Sequence, residues 1–214
     1  MTLDDVAVNE LLARLASGDA PPVAAPARRR PVHVVYGGAH LFRRDTARKL
    51  GDRALEALET YAGDASGFAS AMGLGPDIDE ETIFARVCAK LEQEPVEDLR
   101  IDFEDGFGQR SHAEEDETAA GAARELVAGA AAGTLPEQIG IRIKSLAPET
   151  RRRALRTLDR FVTTLVDAGS GELPRSFLVT LPKVTRGDEV AVLAAALAQL
   201  ESKLDLERGM LRIE

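Results

Sequence analysis

The sequence has 214 residues, 44% of them hydrophobic and 29% charged, which is ordinary for a globular protein and supplies enough apolar side chain for a sizeable core. Its formal net charge of −9 excludes the basic field that binding to nucleic-acid phosphate requires. No apolar run approaches the roughly 20 residues of a membrane-spanning helix, and the acidic, amphipathic N-terminus is unlike a signal peptide. A cytoplasmic protein with no nucleic-acid and no membrane partner is therefore expected.

In chain order, Leu3, Val6, Leu11, Leu12 and Leu15 recur at helical spacing, with Thr2 and Asp5 placed as a capping box and Gly18 as a stop. "GDAPPVAAPARRR" then reads as a Pro/Ala linker, so residues 1–30 form an N-terminal helix and linker. "PVHVVYGG" is the first strand, with His33 inside it as a core residue. "DTARKLGDRALEALETY" follows as an amphipathic helix capped by Asp45. "AGDASGFASAMGLGP" reads as a Gly/Ser-rich loop, and "DIDEETIFARVCAKLEQEP" as a second helix that carries Cys88, the only cysteine, in a small apolar core role. "LRIDFEDGFGQR" is the second strand and its tip.

From there the pattern is regular. "EEDETAAGAARELVAGAAAG" is an Ala-rich helix and "IGIRIKSL" the third strand. "PETRRRALRTLDRFVTTLVDAG" is a helix, "RSFLVTLPKV" the fourth strand, "DEVAVLAAALAQLESKL" a helix, and "GMLRIE" opens the fifth strand. Strands separated by helices imply parallel pairing with right-handed crossovers. No glycine-rich dinucleotide or phosphate loop follows a strand, so the nucleotide-binding versions of this layout lose their support. The expected fold is α/β: a (β/α) TIM-type barrel over residues 31–214, incomplete at about five of eight strands, with a helical insertion after the first strand.

Functional groups of parallel α/β folds gather at the C-terminal ends of strands. Alternation puts Leu99, Ile101 and Phe103 on one face of the second strand and Arg100, Asp102 and Glu104 on the other. In the third strand Ile139, Ile141 and Ile143 oppose Gly140, Arg142 and Lys144. Charges of opposite sign thus turn into one interior. Two readings stand side by side: a buried structural ion network, or a site for a small anion and a divalent cation, since clustered acids suit a hard cation and an arginine fork suits a carboxylate. His40 and His112 fall in loops at the strand tips, within reach of such a site.

Taken in order, "IDFEDGFGQR", "EEDETAAGAARELV", "IGIRIKSL", "FLVTLPKV" and "LRIE" resemble the citrate lyase beta subunit/HpcH–HpaI aldolase family of the phosphoenolpyruvate/pyruvate barrel superfamily. The resemblance runs from about Val32 to the end. It implies a metal-dependent carbon–carbon lyase, acting through an enolate on a 2-oxo acid or acyl substrate, possible coenzyme A thioesters included, with Mg²⁺ or another divalent cation. Arg142 would hold the carboxylate or enolate oxygen. Glu104 and Asp105 would lie beside the metal through its water shell, and Asp102 would order the strand end and pair with Arg142. Tyr36, Gly37, Gly38 and Lys183 would border the substrate. Asp105 stands where the aldolase branch has a His that assists proton transfer, and Lys144 stands where the family has Asn.

The family's metal-binding Glu belongs to the fifth strand. Glu214 is either that ligand or a neighbour just short of it. With five strands counted, the chain reads as the N-terminal part of such an enzyme. An open half-barrel exposes strand edges, so a homo-oligomer is expected. The competing expectation is a non-catalytic, truncated barrel that acts only by interaction with another chain.

Overall fold

A computed structural model describes residues 2–13, 30–174 and 176–214. Five strands, β1 (Val34–Gly38), β2 (Asp98–Asp102), β3 (Gln138–Arg142), β4 (Phe177–Thr180) and β5 (Arg212–Ile213), form one sheet in the order β1-β2-β3-β4-β5. Every neighbouring pair is parallel. The fold is thus α/β with a five-stranded parallel sheet.

The helices among the described residues are α1 (Asp5–Ala13), α2 (Thr46–Ala62), α3 (Ala65–Met72), α4 (Glu80–Gln93), α5 (His112–Ala132), α6 (Arg151–Ala168) and α7 (Gly187–Lys203). None is long and apolar enough to cross a membrane. α5, α6 and α7 link successive strands from β2 onward, while α2, α3 and α4 lie between β1 and β2 and pack on one another.

The core lies between one face of the sheet and the strand-linking helices. Leu99, Ile101, Phe103, Ile139, Ile141, Ile143, Phe177 and Val179 are buried there with Leu126, Leu155, Phe161, Val192 and Leu200. Aromatics are few, and four of the seven phenylalanines are spent on one contiguous line through this core. Phe107 meets Phe103 at 5.7 Å, Phe103 meets Phe161 edge-on at 6.1 Å, and Phe161 stacks on Phe177 at 5.9 Å. Such pairs add about 0.5–1.5 kcal/mol each beyond the area they bury.

The opposite face carries Val34, Tyr36, Asp98, Arg100, Asp102, Arg142, Thr180 and Arg212, and Val34 and Tyr36 are exposed on it. The register sets Tyr36 beside Arg100, Arg100 beside Gly140, and Gly140 beside Leu178.

Several expectations need correction. The segment read as a Gly/Ser-rich loop contains α3: Asp64 caps it by accepting the Gly67 N–H at 2.7 Å, and Gly73 closes it in the left-handed conformation at φ 64°. Asp4, not Thr2 with Asp5, caps α1, through the Ala7 N–H at 2.8 Å. Thr2 is instead held by α6: its N–H donates to Asp159 at 3.1 Å, and its hydroxyl meets that of Thr163 at 2.7 Å. Asp45 stands at the N-cap of α2 without bonding its backbone, because its carboxylate goes to Lys49 at 3.1 Å. His33 is exposed ahead of β1 and donates from Nδ1 to the Pro95 carbonyl at 2.8 Å. Cys88 is half-buried, since α4 buries none of its residues fully. Gly18 and most of the Pro/Ala linker lie outside the described residues.

Gly140 is the most tightly hemmed of the sheet's glycines. A Cβ there would lie 2.0 Å from the Leu178 carbonyl oxygen. Gly140→Ala is expected to push β3 and β4 apart and cost about 3 kcal/mol, the upper range for overpacking a tight site. Chemical denaturation of the variant against wild type measures it, and an unchanged midpoint would contradict the strand spacing.

Candidate ligand site at the strand ends

The site is built on one carboxylate. Asp102 ends β2, is 2% exposed, and accepts the Glu104 N–H at 2.8 Å and the Gly106 N–H at 2.9 Å. Those two bonds curl the chain back over the strand end. Gly106 is what allows the curl, because a Cβ there would stand 2.9 Å from Asp102 Oδ2 and 3.2 Å from the Gly38 nitrogen. Gly38 is equally constrained: its Cβ would lie 2.2 Å from the Gly106 carbonyl oxygen. Gly37 has open space at its Cβ position, so only the second of the two glycines is demanded by packing.

Arg142 ends β3, paired in register with Asp102. Its Nη1 lies 3.4 Å from Asp102 Oδ2 and its Nη2 donates to Asp105 Oδ2 at 2.5 Å. Its guanidinium carbon stands 5.4 Å from the centre of the Tyr36 ring, a cation–π distance. Lys183 closes the cluster: Nζ donates to Glu104 Oε1 and to Asp105 Oδ1, both at 2.8 Å. Lys183 holds a left-handed backbone, φ 55°, which costs a non-glycine residue of order 1 kcal/mol. The acidic tip and the arginine therefore meet on one face.

Hydrogen bonds from Lys183 and then from Arg142 hold the Asp105 carboxyl below its usual range. Asp105 and Glu104 in turn raise the Lys183 ammonium above its ordinary value. Lys144, expected on the inner face with Arg142, is used elsewhere. Its Nζ donates to the Phe103 carbonyl at 2.8 Å and the Gly108 carbonyl at 3.3 Å, and lies 3.9 Å from Glu115 of α5. It ties down the loop rather than lining the site.

A second ionic row lies beside the first. Arg100 is fully buried, pairs with Asp98 on its own strand, and reaches past the bare Gly140 to β4 and β5. Its Nε donates to Thr180 Oγ1 at 3.0 Å and to Glu214 Oε2 at 2.8 Å. Burial pushes the Glu214 carboxyl up, but hydrogen bonds from Thr180 and Arg100 outweigh it and hold the group low. Burial also raises Asp98, only partly offset by Arg100. Arg100 and Thr180 were missed as partners of Glu214 in the sequence; the one signal was a glycine at 140, which leaves a gap for a long side chain to cross.

A cavity of about 950 Å³ opens next to the cluster, touching it at Glu104 and Lys183 and running between the loops that lead into α6 and α7. Ser145, Thr150, Arg151 and Thr185 line it further out. His112 begins α5, where its carbonyl accepts from Arg153 at 3.3 Å, and its exposed ring makes no contact with the cluster. His40 does not line that cavity; it follows β1, and its ring packs on Phe107 at 5.7 Å.

The carboxylates expected to serve a divalent cation are committed to cations of the chain itself. Glu104 and Asp105 share Lys183, and Glu214 is bound by Arg100. Among the described residues no three His, Cys, Asp or Glu side chains converge as a metal site. As paired, the donors do not form an open cation site.

A sequence-family model described as "Domain of unknown function (DUF6986)" matches residues 8–214. No curated protein and no solved structure matches the chain.

The pairing of Asp105 predicts a definite pH response. An acid whose folded pKa is depressed contributes stability above its unfolded pKa and loses it as pH falls through the folded value. Asp105 should titrate below the ordinary carboxylate range in wild type, and Lys183→Met should move it up. Carboxylate ¹³C NMR reads both values; an unmoved Asp105 would contradict the pairing.

Proposed function

The chain belongs to the DUF6986 family, and from its site geometry we infer a carbon–carbon lyase or aldolase-like enzyme that binds a 2-oxo acid or acyl group at Arg142 and works through its enolate. The observation that carries this reading is the Arg142 guanidinium, aimed by Asp102 at the C-terminal end of a parallel sheet, on a face the core does not cover. A planar fork of N–H donors in that place suits a carboxylate or an enolate oxygen. Strands running in sequence order, with the core on one side, support a (β/α) barrel winding, whose sites lie at this same end.

Each residue has a task in the proposal. Arg142 binds the substrate's anionic oxygen and stabilises charge as it develops there. Tyr36 backs the guanidinium and limits its movement. Lys183 supplies a second positive charge at the mouth, and Asp102 fixes the loop on which Glu104 and Asp105 stand. Gly38 keeps that loop against β1. Mg²⁺ would have to compete with Lys183 for Glu104 and Asp105 to bind there.

The competing reading, a non-catalytic chain that acts by packing against another chain, draws on the same uncovered face, where Val34 and Tyr36 are exposed. Ligand binding separates the two. Calorimetric titration with pyruvate and with oxalate, run with and without Mg²⁺, is expected to show binding that Arg142→Ala weakens about 10- to 100-fold, the scale of a charge-assisted hydrogen bond. Arg142→Lys should recover only part of it, because an ammonium has no fork. Equal affinity in wild type and Arg142→Ala would overturn the assignment.

A further inference from the structure

We propose that His40 is the proton-transfer residue of this site. The proposal rests on the lyase reading above and names the group that reading leaves open.

The acids at the strand ends are poorly placed to accept a proton. Asp102 takes two backbone N–H groups and Arg142, Asp105 takes Arg142 and Lys183, and Glu104 takes Lys183. The imidazole of His40 is different. Its Nδ1 is buried with no hydrogen-bond partner, and no side chain or backbone group of the described residues hydrogen-bonds the ring. With Nδ1 buried, the exchange falls to Nε2, which can give or take a proton without first breaking a bond.

Position follows from Gly38. Side chains two apart on a strand share a face, so a Cβ on Gly38 would point the same way as Tyr36, whose ring lies against Arg142. That Cβ would meet His40 Cε1 at 2.8 Å and the Gly106 carbonyl oxygen at 2.2 Å. The imidazole thus stands over the end of β1, on the site's own face, beside the loop whose Gly106 N–H binds Asp102. Phe107 packs on the ring and Arg43 donates to the His40 carbonyl at 3.3 Å, which fix the turn that carries it. The charged neighbours across Phe107 are Arg110, 4.9 Å from that ring's centre, and Lys144 at 5.8 Å.

The step is a retro-aldol cleavage of a substrate with a hydroxyl β to its carbonyl. His40 takes the hydroxyl proton, and the oxygen's electrons form a new C=O bond as the adjacent carbon–carbon bond breaks. The electron pair of that bond passes to the enolate oxygen held by Arg142. The imidazolium then returns its proton to the enolate carbon, so one proton leaves and one is delivered.

Pyruvate is the probe, since enolate formation exchanges its methyl protons with D₂O, which ¹H NMR follows directly. In wild type with Mg²⁺ present, exchange is expected. His40→Gln should keep pyruvate affinity within twofold, keep its far-UV melting curve, and slow exchange at least about 100-fold, the usual weight of a positioned acid or base. Unchanged exchange in His40→Gln overturns the proposal and leaves the Arg142 site standing. Wild type that binds pyruvate without exchanging protons also overturns it. Wild type that binds neither pyruvate nor oxalate overturns the lyase reading, and His40 falls with it. A measurement on the native chain covers a variant that fails to fold: the His40 Cε1–H resonance should shift on saturation with oxalate while those of His33 and His112 stay, and an unmoved His40 signal overturns the proposal.

Discussion

The arrangement depends on the buried carboxylate of Asp102. It is nearly inaccessible to solvent, so its oxygens need partners within the protein. Its three partners decide the rest: the Glu104 and Gly106 N–H groups fold the loop back, and Arg142 is drawn to the end of its strand. The fold-back requires two glycines in contact, Gly38 and Gly106, because no side chain fits between the loop and β1. One buried carboxyl group thereby aligns three strand ends and orients the cation that a ligand would meet.

Much of the fold was legible because the strands here are short apolar alternations separated by well-formed amphipathic helices. Leu99, Ile101 and Phe103 read as one face, and they are one face. The meeting of Arg142 with Asp102 followed from the same alternation plus register, whereas Asp105 reaches Arg142 only because the chain folds back beyond the strand, and Glu104 goes to Lys183 instead. What escaped was local. α3 was hidden because Ser66, Gly67 and Ser70 interrupt it and glycines follow it, although Asp64 and Gly73 carried its start and stop. Lys144 kept its place in the alternation on paper, but β3 ends at Arg142, and beyond a strand's last residue the period of two no longer governs direction. The reach of Arg100 to Glu214 crosses two strands and depends on a missing side chain at Gly140, which no periodicity reveals.

The N-terminal segment joins the domain more closely than a helix and linker would suggest. Leu3, Leu11 and Leu12 are buried, Asp159 takes the backbone N–H groups of Thr2 and Leu3, and Lys203 donates to the Thr2 carbonyl. These contacts put α1 across α6 and α7, and Leu12 lines the cavity next to Lys183. The start of the chain therefore shapes a wall of the same cleft that the strand ends open into.

A closed ion cluster can still admit a ligand if its bonds are unequal, and here they are. Asp102 is 3% exposed at its side chain and Asp105 is 61% exposed, yet both bind the same guanidinium. An exposed pair gains little in water and is screened by salt, whereas breaking a buried one strands a charge. A substrate carboxylate has the same planar shape and charge as the Asp105 side chain. On the proposed reading it would replace Asp105 on Nη2 at small cost while Asp102 keeps Arg142 aimed. Lys183, released from Asp105, would retain Glu104 and remain at the mouth. On the proposed reading, the unliganded cluster rehearses the bound one, with Asp105, the most exposed of its carboxylates, in the place a substrate carboxylate would take.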